Sequence, residues 1–269
     1  MILYGRNAVR EALRGRRAKS IGEVWATQAT AREPWLKGVR MHASSAADIE
    51  RRCGSSAHQG VCAQAGGFPY VSADELLLAG PEPLVVVLDE VQDPQNLGSI
   101  CRTAECAGCS GVAIPERRAA EVTPAACKAS AGAVEHLRIA RVRNVADLLE
   151  QARAAGCWCY GASAESAESA DGARNPRNHR SAGSAASAGG GRNDRPPARA
   201  PIPYDAPDYR GAGVVLVLGS EGRGLRPRVA KACDELIALP LRGRVESLGV
   251  SAAAAAILYE ILQQRAGDT

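Results

Sequence analysis

The sequence predicts an α/β protein, with a small N-terminal α/β domain joined to a larger C-terminal α/β domain built on a mostly parallel sheet. Three observations predict it. Leu84–Leu88 and Val214–Leu218 are continuous apolar runs, as expected of strands buried on both faces. From residue 84 onward such strands alternate with segments of helical periodicity, the pattern that covers a parallel sheet on both sides. Pro81 and Pro83 interrupt the chain just before that rhythm begins, which divides it into residues 1–78, a linker at 79–83 and residues 84–269.

In the N-terminal domain, Asn7–Leu13 has apolar residues at helical spacing, Gly22–Ala26 reads as a strand, Ala46–Arg52 as a helix and Gly60–Ala65 as a second strand. Ala73–Leu78 reads as a linking helix. In the larger domain, strands are expected at 84–88, 111–114, 137–142, 157–162, 214–218 and 236–239. Helices are expected at 97–107, 145–155, 227–232 and 250–264, and another begins at Thr123-Pro124, with Thr as cap and Pro in the first turn. Residues 165–210 break the rhythm. They are rich in Gly, Ala, Ser, Pro and Arg and poor in large apolar residues, so they read as a disordered insertion.

Composition narrows the function classes. With 269 residues, 46% of them hydrophobic, the chain can bury a substantial core, and with 4% aromatics that core must be aliphatic. No apolar run approaches the roughly 18–20 residues that span a bilayer, and the charged N-terminus has no signal-peptide pattern, so a cytoplasmic protein without a membrane partner is expected. Nine cysteines scattered through core-like segments suit free thiols. Cys101, Cys106 and Cys109 have the C-x4-C-x2-C spacing of some iron–sulfur proteins, with Cys127 beyond. Their helical context argues instead for small buried residues, and no metal is expected. Residues 1–80 hold eleven Lys and Arg against seven Asp and Glu, a local basic surplus that suits a polyanionic partner. The seven arginines of 165–210 are offset by six acids and read as part of a neutral spacer.

Three segments carry candidate chemistry. Asp93-Pro-Gln-Asn-Leu-Gly-Ser-Ile-Cys-Arg102 follows a buried strand and opens a helix, where ligands bind in open α/β sheets. Asn96 can cap that helix or hold a polar substrate atom, Gly98 permits close backbone approach, and Arg102 can hold a phosphate or polarise a hydroxyl. Leu218-Gly-Ser-Glu-Gly-Arg-Gly-Leu225 again follows an apolar strand. Its glycines expose main-chain groups, and Glu221 is poorly explained as a mere turn residue. Leu239-Pro-Leu-Arg-Gly-Arg-Val-Glu-Ser-Leu-Gly-Val-Ser251 brings backbone and the Ser247 hydroxyl to a third turn before an alanine-rich helix.

Taken in this order, the three segments resemble the SpoU/TrmH family of S-adenosylmethionine-dependent RNA 2′-O-ribose methyltransferases, across residues 84–265 apart from the insertion. Tyr4-Gly-Arg-Asn-Ala-Val and His58-Gln-Gly-Val are similar to that family's N-terminal RNA-binding domain. The likeness is greatest to bacterial enzymes that methylate guanosine in large-subunit rRNA, with tRNA enzymes and a non-catalytic RNA-binding homologue as alternatives. The resemblance implies a SPOUT domain whose C-terminal segment forms a trefoil knot, S-adenosyl-L-methionine as cofactor, RNA (most of all rRNA) as substrate, and a homodimer in which each site is completed by the partner chain. It implies catalytic roles for Arg102, Asn96, Glu221 and Ser247, cofactor contacts at Gly219, Gly222, Leu239 and Leu248, and RNA contacts at Arg6, His58 and Gln59. Arg102 would activate the ribose hydroxyl. One position departs from the family pattern: Gly249 stands where Asn follows Ser-Leu.

Overall fold

The computed structural model describes residues 1–163, 200–245 and 247–266. Most of the expected insertion, 165–199, and the Glu246 position therefore lie outside the described residues.

The N-terminal sheet has the order β1 (Ile2–Tyr4), β4 (Val61–Ala65), β2 (Ile21–Ala26), β3 (Met41–Ala43). Its pairs are antiparallel except β2 with β3. Helices α1 (Arg6–Ala12) and α2 (Ala46–Cys53) pack on it. The short strands β1 and β3 had no alternating pattern long enough to be read from sequence.

The second sheet runs β7 (Ile139–Val142), β6 (Gly111–Pro115), β5 (Leu84–Asp89), β10 (Gly213–Gly219), β8 (Cys157–Ser163), β11 (Glu235–Ala238), β9 (Ile202–Pro203). Every pairing in it is parallel. Side chains of β5 alternate between two cores. Leu84, Val86 and Leu88 face α4 (Pro94–Cys106), α5 (Pro124–Ala129) and α8 (Val250–Ala266). Val85 and Val87 face α3 (Asp74–Leu77), α6 (Val145–Ala154) and α7 (Pro227–Ala232). Burial of both faces explains the unbroken apolar runs of β5 and β10.

Two boundaries differ from expectation. Val71 already pairs with Ala140 beside β7, and Leu76 and Leu77 are buried against Val85 and Val87. The chain thus joins the second unit before the proposed linker, because those apolar side chains are buried by its sheet. Residues 200–210, read as the end of the insertion, are also structured. Ile202–Pro203 adds β9 beside β11, and Tyr209 is buried with its ring 5.1 Å from that of Tyr160. The Tyr209 hydroxyl donates to the Tyr204 carbonyl, and Arg265 of α8 donates to the Tyr209 and Ala212 carbonyls. Ile202, Tyr204 and Tyr209 were the signal: they are the large apolar residues in an otherwise depleted stretch.

The two units share one core. Leu3, Val9 and Val24 are continuous with Ile100, Cys127 and Val134. Between the units lies a buried ion pair, with Arg17 Nε 2.9 Å from Glu135 Oε2 and the guanidinium also donating to Cys127 Sγ. Arg17 belongs to the basic surplus read from sequence as available to a polyanion. Its side chain is in fact 1% exposed and binds Glu135.

Among the cysteines of the ferredoxin-like spacing, Cys101 and Cys109 are buried and Cys106 is exposed. Among the described residues, no three His, Cys, Asp or Glu side chains are grouped to hold a metal ion, and no helix is long and apolar enough to cross a membrane.

Candidate active site

The first segment forms the start of α4. Asp93 caps it, its carboxylate accepting from the Gln95 N–H at 3.0 Å, and Pro94 takes the first helical position. The helix therefore begins three residues earlier than expected, and Asn96 lies in its first turn rather than at the cap. Its side chain is free for another partner: Asn96 Nδ2 donates to Glu221 Oε1 at 3.1 Å. That bond spans 125 residues and joins the first segment to the second across the carboxyl ends of β5 and β10.

The second segment leaves β10 at Gly219 and closes a tight turn, in which Ser220 and Gly224 exchange backbone hydrogen bonds of 3.1 and 2.9 Å. A Cβ on Gly219 would lie 2.2 Å from the Gly224 carbonyl carbon, so only glycine permits this closure. The turn is anchored from below. Asp89, fully buried at the end of β5, accepts from the Arg226 backbone N–H at 2.9 Å and from its guanidinium at 2.7 and 2.6 Å. Charge-assisted bonds of this kind are the strong ones. Neither Asp89 nor Arg226 was singled out from sequence. Their only signal was that each flanks a candidate segment.

Between the two segments lies a cleft of about 360 Å³, lined by Glu90, Asp93, Asn96, Ser220, Glu221, Arg223 and Val250. It combines carboxylates, an amide, a hydroxyl and an exposed arginine at the place where open α/β sheets bind ligands.

The third segment reaches this cleft at its end. Val250 opens α8, and Gly249 precedes it with φ +79°, its carbonyl accepting from the Ala253 N–H at 3.0 Å. A Cβ on Gly249 would be 3.8 Å from Glu221 Oε1, an ordinary contact. The position where a family Asn is expected therefore faces the Asn96–Glu221 pair.

Other expected residues are not gathered here. Arg102 projects from α4 into solvent and pairs with no group among the described residues. Ser247 is exposed, and neither it nor Arg102 lines the cleft. Gly219 adjoins the cleft through Ser220, and Gly222 is exposed with open space where a Cβ would stand. Leu239 packs partly against the core, whereas Leu248 is 52% exposed. In the N-terminal domain Arg6 and Gln59 do meet, the Arg6 N–H donating to Gln59 Oε1 at 3.0 Å, while Arg6 also pairs with Glu33 at 3.0 Å. His58 is only 7% exposed, and its Nδ1 accepts from the Gly60 N–H at 2.9 Å. Its visible part is to shape the turn that presents Gln59.

The chain thus folds as an α/β protein with an open cleft at the carboxyl ends of a parallel sheet. The chain belongs to the SpoU rRNA methylase family, whose pattern matches residues 83–259, while residues 2–71 match an RNA 2′-O ribose methyltransferase substrate-binding domain. It is 32% identical to YacO of Bacillus subtilis strain 168, described as a TrmH family tRNA/rRNA methyltransferase, over 98% of this chain and 95% of that one. Its fold is similar to that of the SpoU methyltransferase AviRb of Streptomyces viridochromogenes, crystallised with AdoMet, at a TM-score of 0.70 and 22% identity, covering 98% of this chain and 89% of that one. It is also similar to an AdoMet-bound rRNA methyltransferase of Sinorhizobium meliloti, at a TM-score of 0.71 and 23% identity, covering 97% and 86% of the two chains.

Proposed function

We propose that the chain methylates a ribose 2′-hydroxyl of RNA, in rRNA before tRNA, with S-adenosyl-L-methionine as donor and as a homodimer. The observation that carries this reading is the Asn96–Glu221 hydrogen bond, which couples the first two family segments at the cleft.

The residues present suit the cofactor. The 219–224 turn offers exposed main chain, with open space at Gly222, for a ligand read by backbone. Leu239 and Leu248 add apolar surface on the third loop. When bound, the cofactor would supply an electrophilic methyl group, leaving position and proton handling to the protein. Gly219, Gly222, Leu239 and Leu248 would hold it, in loops that belong to the proposed trefoil knot.

Glu221, fixed by Asn96, presents a carboxylate to the cleft, where it orders the substrate hydroxyl. Arg102 orients and activates that hydroxyl through its positive charge. A guanidinium keeps its proton in water and is a poor base, so its part is electrostatic. Arg102 is exposed and does not line the cleft of its own chain, which leaves it available to the cleft of a second copy. The exposed Val245 and Tyr259 give that copy apolar surface to cover. Ser247 helps order the third loop. On the N-terminal domain, Arg6 and Gln59 contact the RNA, beside a turn shaped by His58.

The test is incubation of purified protein with methyl-labelled S-adenosylmethionine and separate rRNA and tRNA pools, followed by mapping of the labelled nucleotide. Label in rRNA at an alkali-resistant linkage is expected. Label in tRNA alone would move the substrate, and no label with no cofactor binding would end the enzyme reading. Arg102→Ala should keep cofactor affinity and lose turnover, and unchanged turnover would remove Arg102 from its role.

A further inference from the structure

On the N-terminal domain, α2 covers only part of one sheet face. Its Ile49 packs against Trp25 and Cys62. Beyond that cluster the same face carries Glu23, His42 and Gln64, all exposed. A groove of about 560 Å³ lies over them, bordered by Ser20, Arg40 and Gly66. It is larger than the cleft of the methyltransferase domain, and no step proposed above uses it.

The side chains in the groove form an ordered set. Trp25 and His42 are register partners on β2 and β3, and their rings stack with centroids 6.1 Å apart and planes 26° from parallel. The Arg52 guanidinium carbon lies 4.4 Å from the Trp25 ring centroid. His42 Nε2 is 3.7 Å from Glu23 Oε1, yet the His42 side chain remains 49% exposed. Arg40 is exposed and has no ion-pair partner among the described residues. An aromatic ring backed by a stack, an amide and a carboxylate on the same sheet face, and a cation at the rim are the parts that bind an unstacked nucleotide.

We propose that this groove holds one unpaired RNA nucleotide, distinct from the nucleotide that is methylated. The base stacks on His42, its edge meets Gln64 and Glu23, and the backbone phosphate pairs with Arg40. A paired base is excluded, because its edge is already used and its faces are covered. This inference rests on the RNA methyltransferase reading and adds a second point of contact to it.

The test uses the full chain and a fluorescein-labelled, mixed-sequence single-stranded RNA, with the same strand annealed to its complement as the second arm. The single strand is expected to bind more tightly than the duplex. The double substitution Arg40→Ala/His42→Ala should weaken single-strand binding about tenfold or more, with His42→Phe retaining the stacking share. The same RNA carrying 4-thiouridine should photocrosslink to residues 40–43 or 64–66. Unchanged affinity in the double variant, or crosslinks confined to residues 90–96, would overturn the groove. Calorimetric binding of S-adenosylmethionine separates the two levels. A chain that binds cofactor and RNA but ignores the double substitution loses the groove alone, and one that binds neither loses the broader reading too.

Discussion

Gly249 stands where the resemblance leads one to expect Asn, and its geometry limits what that difference means. At φ +79° the backbone is left-handed, where glycine is unstrained and Asn is the side chain that most readily follows. The space beside Glu221 is open enough for a Cβ. Gly249→Asn should therefore fold, at a cost of no more than about 1–2 kcal/mol. It should also return an amide to the Asn96–Glu221 pair, raising turnover or leaving it equal. Steady-state kinetics with thermal denaturation of the same variant checks this, and a clear loss of turnover would mean that the site is built around the glycine. The candidate residues themselves were legible in the sequence: Asn96 and Glu221 stood out as polar groups in loops following apolar strands. Their hydrogen bond was not legible, because a sequence separation of 125 residues carries no local signal of proximity.

Among elements, α4 shows how local rules and packing divide the work. Asp93 and Pro94 start the helix by capping chemistry alone. Gly98 was read as permitting close backbone approach, and what approaches is α5. A Cβ on Gly98 would stand 2.5 Å from the Ala129 Cβ and 2.7 Å from the Ala126 carbonyl oxygen. Gly98→Ala should thus cost about 1–3 kcal/mol by overpacking, although alanine favours helices. Urea unfolding measures it, and a stabilised variant would show that the two helices separate freely. Most strands of the second sheet were readable from their apolar runs. β1, β3 and β9 were not, since strands of two or three residues form only where a neighbouring strand completes their hydrogen bonds.

At the scale of the molecule, the N-terminal domain is fixed to its neighbour by a buried ion pair. Arg17 loses hydration on burial, but Glu135 more than restores its proton affinity. Arg17→Ala leaves the Glu135 carboxylate buried without its cation and should destabilise the chain by about 3–5 kcal/mol in urea. Replacing both partners by apolar residues of similar volume should recover much of that loss. A single variant as stable as the parent would show that the two domains do not depend on the pair. Stability should also decline with alkali. Burial pushes the thiols of Cys109 and Cys233 up to about 12 and those of Cys62 and Cys127 up to about 11, from an ordinary 9.0. Because these folded-state values are raised, the unfolded chain gives up protons first, and the contribution is lost as pH rises from about 9 toward those values. Thermal denaturation with reductant present should show a falling midpoint across that range, and a flat profile would contradict the burial of these thiols.

The sequence by itself determined the α/β class, the order of most helices and strands, and the three segments that mark the SpoU family. These are properties of periodicity, capping and short motifs, which nearby residues settle among themselves. Only the tertiary structure decided that Asn96 binds Glu221, that Asp89 anchors Arg226, that Arg17 is a structural cation rather than a free one, and that Arg102 is exposed outside the lining of its own cleft. Each of these depends on bringing distant segments together. The pairing is set by burial of both sheet faces and by the need to satisfy buried charges, and neither is written in any local stretch of chain.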